Sequence, residues 1–569
     1  MGRWAVARYG DGSVRLCPLD ERGGAAGPVE SAASLAEAVR ARPGVSRWVW
    51  RSTADAYPPL LREGVRVERC YDVEAAEAVL LGYEGRYGQP RSLAAAWARL
   101  RGLPVPEDPP PAAADSVQPS LFEAGPAPLP ADADPLLVLR EVYAAQLART
   151  AAAARPERLR LLLAAESAGT LIAAELRQAG LPWREDIHRE LLAQLLGERY
   201  PGGGEPRRLA ELAERISRAF GEGVRVRPDL PADVIGAFRR AGIRLASTRS
   251  WELRQVDHPA VAPLLEYKRL YRIWTAHGWS WLRDWVRDGR FRTEYVPGGT
   301  PTGRWTSNGG GALQIPRVLR RAVVADPGWR LVVADADQLE PRVLAAISRD
   351  RGLMAAASGT GDLYAELGRL GFGGDREQAK LALLGAVYGQ TSGDGLRHLA
   401  RLRRRFPDAV AYVDEAARAG ERGELVRTWL GRTCPPAGQR PGDSGDGGSG
   451  DAPYAVADGA ADGDSAPPAA TPAARARGRF TRNFVVQGSA AEWALLMLAG
   501  LRARLRGSRA ELVFFQHDEV IVHCPHEEAA AVVEAVAAAG QEAGRLAFGE
   551  TPVRFSFTTA VAECYADAK

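Results

Sequence analysis

An apolar run that ends in carboxylates constrains a fold more tightly than composition does. Residues 331–350 read LVVADADQLEPRVLAAISRD. Leu331 to Ala334 has the length and character of a short buried strand. It delivers Asp335, Asp337 and then Glu340 to the start of a segment with helical spacing. Burying unpaired negative charge is expensive, so this junction needs a cation, a proton or a turn in water. An Asp that caps the following helix meets that need alone. A metal site requires a second carboxylate from elsewhere in the chain.

ELVFFQHDEVIVHCP (511–525) offers one. Apolar runs flank the polar tip Gln516-His517-Asp518-Glu519, so the stretch reads as strand, turn, strand. Carboxylates at the ends of neighbouring strands could hold two magnesium ions, the arrangement used for in-line phosphoryl transfer. Between the two stretches, in DREQAKLALLGAVYGQTSG (375–393), Arg376, Lys380, Leu384 and Tyr388 recur every fourth residue. They share one helix face, with two cations first and an apolar, aromatic surface after. Such a face suits a nucleotide, phosphates at one end and base at the other, although any amphipathic helix can carry exposed Arg and Lys.

The rest of the chain sets the frame. At 569 residues, 46% hydrophobic and 25% charged, it has room for several globular domains. No run of about 18 uncharged apolar residues predicts a membrane span, and the start MGRWAVARYGDGSVRL lacks a signal-peptide core; the expectation is a cytoplasmic protein. Five scattered cysteines without a CxxC pair argue against disulfides and structural zinc. The close pair His523 and His526 reads as surface. A net charge of +4 permits a basic groove without demanding one. Two stretches, 104–135 and 435–474, are rich in Pro, Ala, Asp or Gly and read as a linker and an unfolded insertion. Residues before the first alternate short apolar runs with helical ones, a small α/β domain. From about 134 to 289 the pattern is helical and Arg-rich.

Taken in order, these stretches resemble the motifs of family A DNA polymerases, the bacterial DNA polymerase I type. DADQLEPR (335–342) is similar to motif A, DYSQIELR; REQAKLALLGAVYG (376–389) to motif B, RxxxKxxxFGxxYG; QHDE (516–519) to motif C, VHDE. TPTGRWTSNGGGALQIP (300–316), TWLGRTCPP (428–436), RFTRNFVVQGSAAEWALLMLA (479–499) and the ending AECYADAK resemble further family segments, so the likeness covers roughly 135–569. Any one motif is moderate evidence; the ordered set is specific.

The resemblance implies an α+β right-hand polymerase: thumb about 135–290, palm about 291–349 and 480–569, fingers about 350–479 carrying the insertion 437–474. It implies primer-template DNA and deoxynucleoside triphosphates as partners, a monomer, and two Mg2+ ions, with Mn2+ as an alternative. Asp335 and Asp518 become the metal ligands with the carbonyl of Ala336, and Glu519 supports them. Arg376 and Lys380 hold the triphosphate, with Lys380 the proton donor to pyrophosphate. Gln338, Glu340, Leu384 and Tyr388 meet the nucleotide, and Glu340 leaves no room for a ribose 2′-hydroxyl. Arg304, Arg479, Asn483, Gln487 and His517 meet DNA, where minor-groove acceptors common to all correct pairs allow a test of shape. Three departures stand out: Leu384 for the usual aromatic, Tyr364 for a histidine, and Pro341 in the first turn of a helix, where proline is tolerated.

By position, residues 1–105 correspond to the family's ribonuclease H-like 3′-5′ exonuclease module, joined through a linker at 106–134. Its first strand lacks the Asp-x-Glu pair that chemistry needs. The early pair Asp72–Glu74 falls in a stretch that reads as a later helix, so the domain is read as degenerate; no 5′ nuclease domain is expected. Three alternatives are weighed. Residual exonuclease activity is opposed by the missing pair. A non-catalytic DNA-binding relative is opposed by the joint survival of Asp335, Asp518, Arg376 and Lys380. A phage-type RNA polymerase is opposed by Glu340 and QGSAAE.

Overall fold

A computed structural model describes residues 2–109, 129–130, 132–198, 203–309, 311, 315–389, 394–436 and 471–568. Most of the expected linker and insertion, 110–128 and 437–470, lies outside the described residues. The chain divides into two compact units. One comprises Met1–Gln178, Glu294–Thr306 and Val332–Thr559; the other comprises Ala179–Thr293, Ser307–Leu331 and Ala560–Lys569.

The first unit opens with a five-stranded sheet: β1 (Arg3–Arg8), β2 (Val14–Leu19), β3 (Glu30–Ala32), β4 (Arg47–Trp50) and β5 (Cys70–Asp72), in the order β3-β2-β1-β4-β5. The stretch expected as one first strand is a hairpin, β1 against β2, turning at Tyr9–Ser13. β1, β4 and β5 run parallel. Val6, Leu16, Trp48, Trp50, Tyr57 and Leu60 fill the core, closed by Leu171 from α1 (Pro156–Ala179).

The same unit holds the segment that carries the carboxylates. β6 (Trp329–Ala336) lies between β8 (Glu519–Pro525) and β9 (Phe557–Ala562), and β7 (Glu511–Gln516) forms an antiparallel hairpin with β8. α2 (Leu339–Ser348), α3 (Leu363–Gly371), α4 (Arg376–Tyr388) and α5 (Pro407–Glu421) precede α6 (Pro472–Arg504), which packs on α5 and on α7 (Ala529–Phe548). α6 is long and apolar enough to cross a membrane by composition, but most of that stretch is buried inside the protein. Trp493 stacks on Phe555 and Phe557, with centroids 5.1 and 6.0 Å away. His523, read from the sequence as surface, is a buried β8 residue at 1% exposure. The run EVIVHCP is buried on both faces, so its polar member goes inside with the rest.

Near its C-terminal end α6 ties down the N-terminal sheet. Arg502 makes two bonds to Glu175 of α1, both 2.8 Å, and donates to the carbonyls of Val67 and Glu68, both 2.7 Å. The Tyr57 hydroxyl donates to the same carboxylate at 2.5 Å. Burial and that carboxylate raise the Tyr57 pKa.

The second unit is mainly helical. Glu185–Leu196, Arg207–Ala219 and Val261–His277 pack around Leu192, Leu209, Leu212, Ile216, Phe238 and Leu264. Leu209, Leu212 and Ile216 follow helical spacing, which leaves the arginines of that helix to solvent. A second cluster buries two histidines among aromatics. The Trp183 Nε1–H donates to His188 Nδ1 at 3.2 Å, so His188 carries its proton on Nε2, 3.0 Å from the His277 carbonyl.

Burial pushes both His188 and His277 down to about 4, with Arg189 acting on the first and His188 and Arg272 on the second in the same direction. Their unfolded counterparts bind a proton near pH 6.5. The stability they allow is complete above that pH and is lost as pH falls toward 4. Exchange of the Glu185–Leu196 and Val261–His277 amides, corrected for intrinsic rate, should accelerate across that window. A flat profile would remove the two histidines from the stability of this unit.

Candidate active site

Two tight turns place the carboxylates. β6 ends at Ala336, and the chain enters α2 through Gln338, whose φ of 44° is left-handed; the β7–β8 turn uses the same region at His517, φ 57°. Non-glycine residues there are uncommon, and such backbone is kept where surrounding contacts over-determine it. Those contacts are present. The Ala336 N–H donates to the Asp518 carbonyl at 3.1 Å, the Asp337 N–H to Ser556 at 2.9 Å, and the Thr558 hydroxyl to Asp337 at 2.6 Å. Asp337 is thereby spent on β9, whereas Asp335 and Asp518 stand at adjacent strand ends. Burial first, then the negative charges of Asp335 and Glu340, push Asp518 up to about 7, with Arg304 opposing.

Arg304 joins this cluster to the next residues. Its Nη2 lies 2.5 Å from Glu340 Oε1, and the Tyr388 hydroxyl donates to Glu340 Oε2 at 3.2 Å. The Gln338 side chain accepts from the Leu363 N–H at 3.3 Å. A cavity of about 180 Å³ is lined by Arg304, Gln338, Glu340, Tyr364, His517 and Asp518, among others. Ten of the expected site residues do not line it: Asp335 and Ala336 on β6, Glu519 on β8, Arg376, Lys380, Leu384 and Tyr388 on α4, and Arg479, Asn483 and Gln487 on α6. The last three share a face, four residues apart, and the Asn483 Oδ1 is buried without a partner. Glu519, buried at 4%, sits inside β8 opposite Gln516.

α4 begins where Asp375 accepts from the Gln378 N–H at 2.9 Å. Arg376 is held by Asp362 at 2.7 Å and by Glu377 at 2.5 Å, with its guanidinium 5.7 Å from the Tyr364 ring centroid. Asp362 also caps α3 through the Tyr364 and Ala365 N–H groups. Sequence reasoning missed Asp362 as the partner of Arg376, although it lies two residues before Tyr364, a departure noted there. Lys380, half-buried, has no ion pair among the described residues.

A buried layer lies beneath. Arg432 pairs with Glu166, both largely buried. Gly303 has φ +85°, and a Cβ there would fall 2.4 Å from Arg432 Nε, so TGR admits only glycine before its arginine. Glu492 accepts from the Thr428 hydroxyl and from the Leu430 N–H at 2.9 Å, and burial pushes it up to about 7. Arg432 and Thr428 lie within a quoted motif; Glu166 carried no signal, because its partner is distant in sequence.

The donors at the strand ends fit a hard divalent cation: two carboxylates and a backbone carbonyl, with mutual repulsion that positive charge relieves. No group of three or more His, Cys, Asp or Glu side chains able to hold a metal exists among the described residues. Magnesium is commonly bound through one or two carboxylates plus substrate phosphates, so two suffice.

Residues 239–563 match the model of DNA polymerase family A. The chain is 29% identical over 366 residues to DNA polymerase I of Chloroflexus aurantiacus, covering 56% of this chain and 36% of the relative. It is 29% identical over 330 residues to the thermostable DNA polymerase I of Thermus aquaticus, covering 53% and 36%. It thus spans a little over a third of these relatives in length. Among solved structures, the POL domain of Pol1 from M. smegmatis, in complex with DNA primer-template and dNTP, superposes with a TM-score of 0.69 over 99% of this chain and 95% of that one, at 18% identity. The fold is therefore the palm, fingers and thumb architecture with an N-terminal α/β subdomain.

One buried cation holds the loops around the cavity. Arg342, 1% exposed, donates to the carbonyls of Asp337, Ala357, Gly359, Gly361 and Arg554 at 2.8–3.1 Å. Burial lowers its pKa, opposed by Asp337 and Asp362. Arg342→Met leaves these carbonyls unsatisfied and should destabilise by on the order of 3 kcal/mol in urea unfolding. A loss below about 1 kcal/mol, within the ordinary surface range, would show that water replaces the guanidinium.

Proposed function

We propose that this chain, which belongs to DNA polymerase family A, extends the 3′ end of a primer on a DNA template with deoxynucleoside triphosphates. The carrying observation is the meeting of Asp335 and Asp518 at adjacent strand ends, beside the Arg304–Glu340–Tyr388 chain. Magnesium, as two ions, or manganese would be held by Asp335, Asp518 and the Ala336 carbonyl, and supplies charge neutralisation at the reacting phosphates when bound.

The chain's own residues do the remainder. Arg376 exchanges Asp362 and Glu377 for the triphosphate, a trade between charge-assisted bonds of similar kind. Lys380 holds the same phosphates and donates its Nζ proton to the departing pyrophosphate. Glu340, fixed on both oxygens by Arg304 and Tyr388, presents a rigid edge to the sugar and excludes a 2′-hydroxyl. Gln338 and Leu384 complete the nucleotide contacts. Arg479, Asn483, Gln487 and His517 follow the primer-template, and the orphaned Asn483 oxygen is a polar atom that ligand or water would satisfy. Glu519 supports the strand ends from within β8. The reading places a monomer in the cytoplasm, in replication or repair.

The N-terminal domain is proposed to be a degenerate exonuclease-like module. Asp72 ends β5 and caps the following helix, accepting from Ala75 at 2.9 Å and Thr53 at 2.8 Å, at 3% exposure. Glu74 accepts from the Leu93 N–H at 3.1 Å. Both carboxylates are therefore engaged by backbone. The sequence reading put Asp72 inside a helix; it is the last residue of a short strand, because three buried residues, Cys-Tyr-Asp, pair with β4 before the helix starts.

Asp335→Asn or Asp518→Asn should lower primer extension by at least about 10³-fold while primer-template affinity stays nearly constant. The same Asp335→Asn protein, given magnesium and no nucleotides, should leave the primer 3′ end intact. Extension at the parent rate, or steady 3′ release, would overturn the respective assignment.

Glu340→Ala opens the sugar edge and should raise the ribonucleotide share of incorporation by one to two orders of magnitude, about 1–3 kcal/mol of discrimination. An unchanged ribo-to-deoxy ratio in single-turnover incorporation means the gate lies elsewhere.

A further inference from the structure

Four arginines converge on a cavity in the N-terminal part of the chain that no residue of the proposed polymerase site lines. It has a volume of about 410 Å³ and is bounded by Arg3, Ser46, Arg47, Arg69, Glu157 and Arg160 over an aliphatic floor. Three of the arginines come from the N-terminal ends of the three parallel strands. Arg3 opens β1 and Arg47 opens β4, and the two are register partners on parallel neighbours, so their side chains leave the same face. Arg69 directly precedes β5, and its carbonyl accepts from the Trp48 N–H at 3.0 Å. Arg160 faces them from the first turns of α1.

The protein balances the charge in this cavity only in part. Arg160 pairs with Glu157 at 2.7 Å in an exposed pair worth little. Arg69 pairs with Glu68 at 3.5 Å, and Arg3 donates to the Glu21 carbonyl at 3.2 Å and to the Tyr143 hydroxyl. Arg47 has neither a hydrogen bond nor an ion pair among the described residues. Burial, with Arg3 and Arg69 adding to it, lowers the Arg47 pKa, opposed by Tyr143 and Cys70. A half-buried guanidinium beside like charges is costly unless an anion enters. The first turn of the 24-residue α1 adds its positive end at Glu157.

We propose that this cavity is a binding site for a phosphate-bearing ligand, with the guanidiniums of Arg3, Arg47, Arg69 and Arg160 as its donors. Guanidinium forks match phosphate oxygens two at a time, and the volume suits a compact ligand. The phosphates belong either to a free polyphosphate or to the backbone of a nucleic-acid strand crossing the cavity.

The test uses the full chain carrying Arg376→Ala and Lys380→Ala, so that α4 no longer offers phosphate donors. Sodium pyrophosphate is titrated calorimetrically at low ionic strength without magnesium, and a fluorescein-labelled oligodeoxythymidylate is followed by anisotropy. One pyrophosphate event should persist and weaken at least about tenfold on adding Arg47→Ala. Arg160→Ala, on an exposed helix face, should weaken it as well, and serves where Arg47→Ala disturbs the sheet. If pyrophosphate does not bind but both substitutions weaken oligonucleotide binding to that extent, the site takes backbone phosphates. If neither substitution weakens either ligand, the proposal is overturned.

Discussion

Two carboxylates at the ends of adjacent strands repel each other, and much of the first unit is arranged around tolerating that. The Ala336–Asp518 backbone bond forces Asp335 and Asp518 into proximity whether or not a cation is present. Burial compounds the repulsion, and Asp518 answers by holding its proton up to about pH 7. A protonated carboxyl is a poor ligand for a hard cation, so metal binding must displace that proton and is linked to pH. Arg304 is the local counterweight. Because it also grips Glu340, the position of that carboxylate and the charge at the strand ends are mechanically joined.

The same economy recurs at Arg376. Without a triphosphate, its guanidinium lies against Asp362, which also caps α3, so the start of α4 and the start of α3 are fixed through one carboxylate. A cation held in place loses less side-chain entropy on meeting its ligand than a free one does. The cost is the broken Asp362 pair, partly exposed and therefore modest. Arg342 differs in kind: its five carbonyl partners are all backbone, so it shapes loops without offering charge to a ligand.

What the sequence made legible was local. The β6 strand and the β7–β8 hairpin follow from continuous apolar runs and the α4 face from a recurrence at every fourth residue, and the polar residues at the run ends mark where carboxylates emerge. What stayed hidden depended on partners far along the chain. Asp362 caps α3 through one oxygen while its other oxygen holds Arg376, fourteen residues on. His523 reads as polar and therefore exposed, but burial on both faces of β8 overrides that preference. Glu166 and Arg432 meet across 266 residues of sequence, a separation no local pattern encodes. The arginines that open β1 and β4 were visible as residues but not as a cluster, since only the parallel register sets them side by side.

In the proposed reading the N-terminal domain keeps a fold without its chemistry. Its two early carboxylates are engaged by backbone N–H groups, Asp72 by Thr53 and Ala75 and Glu74 by Leu93. Removing the domain would nevertheless be costly, because α6 is shared. Its first half carries Arg479, Asn483 and Gln487 on one face, and its last turn inserts Arg502 among Glu175, Val67 and Glu68. Without the N-terminal sheet, that guanidinium would lose its carbonyl acceptors and Leu171 of α1 would face water. The N-terminal domain is thus anchored to the same helix that carries Arg479, Asn483 and Gln487. Its exposed surfaces, the arginine-lined cavity among them, are then open to a different use.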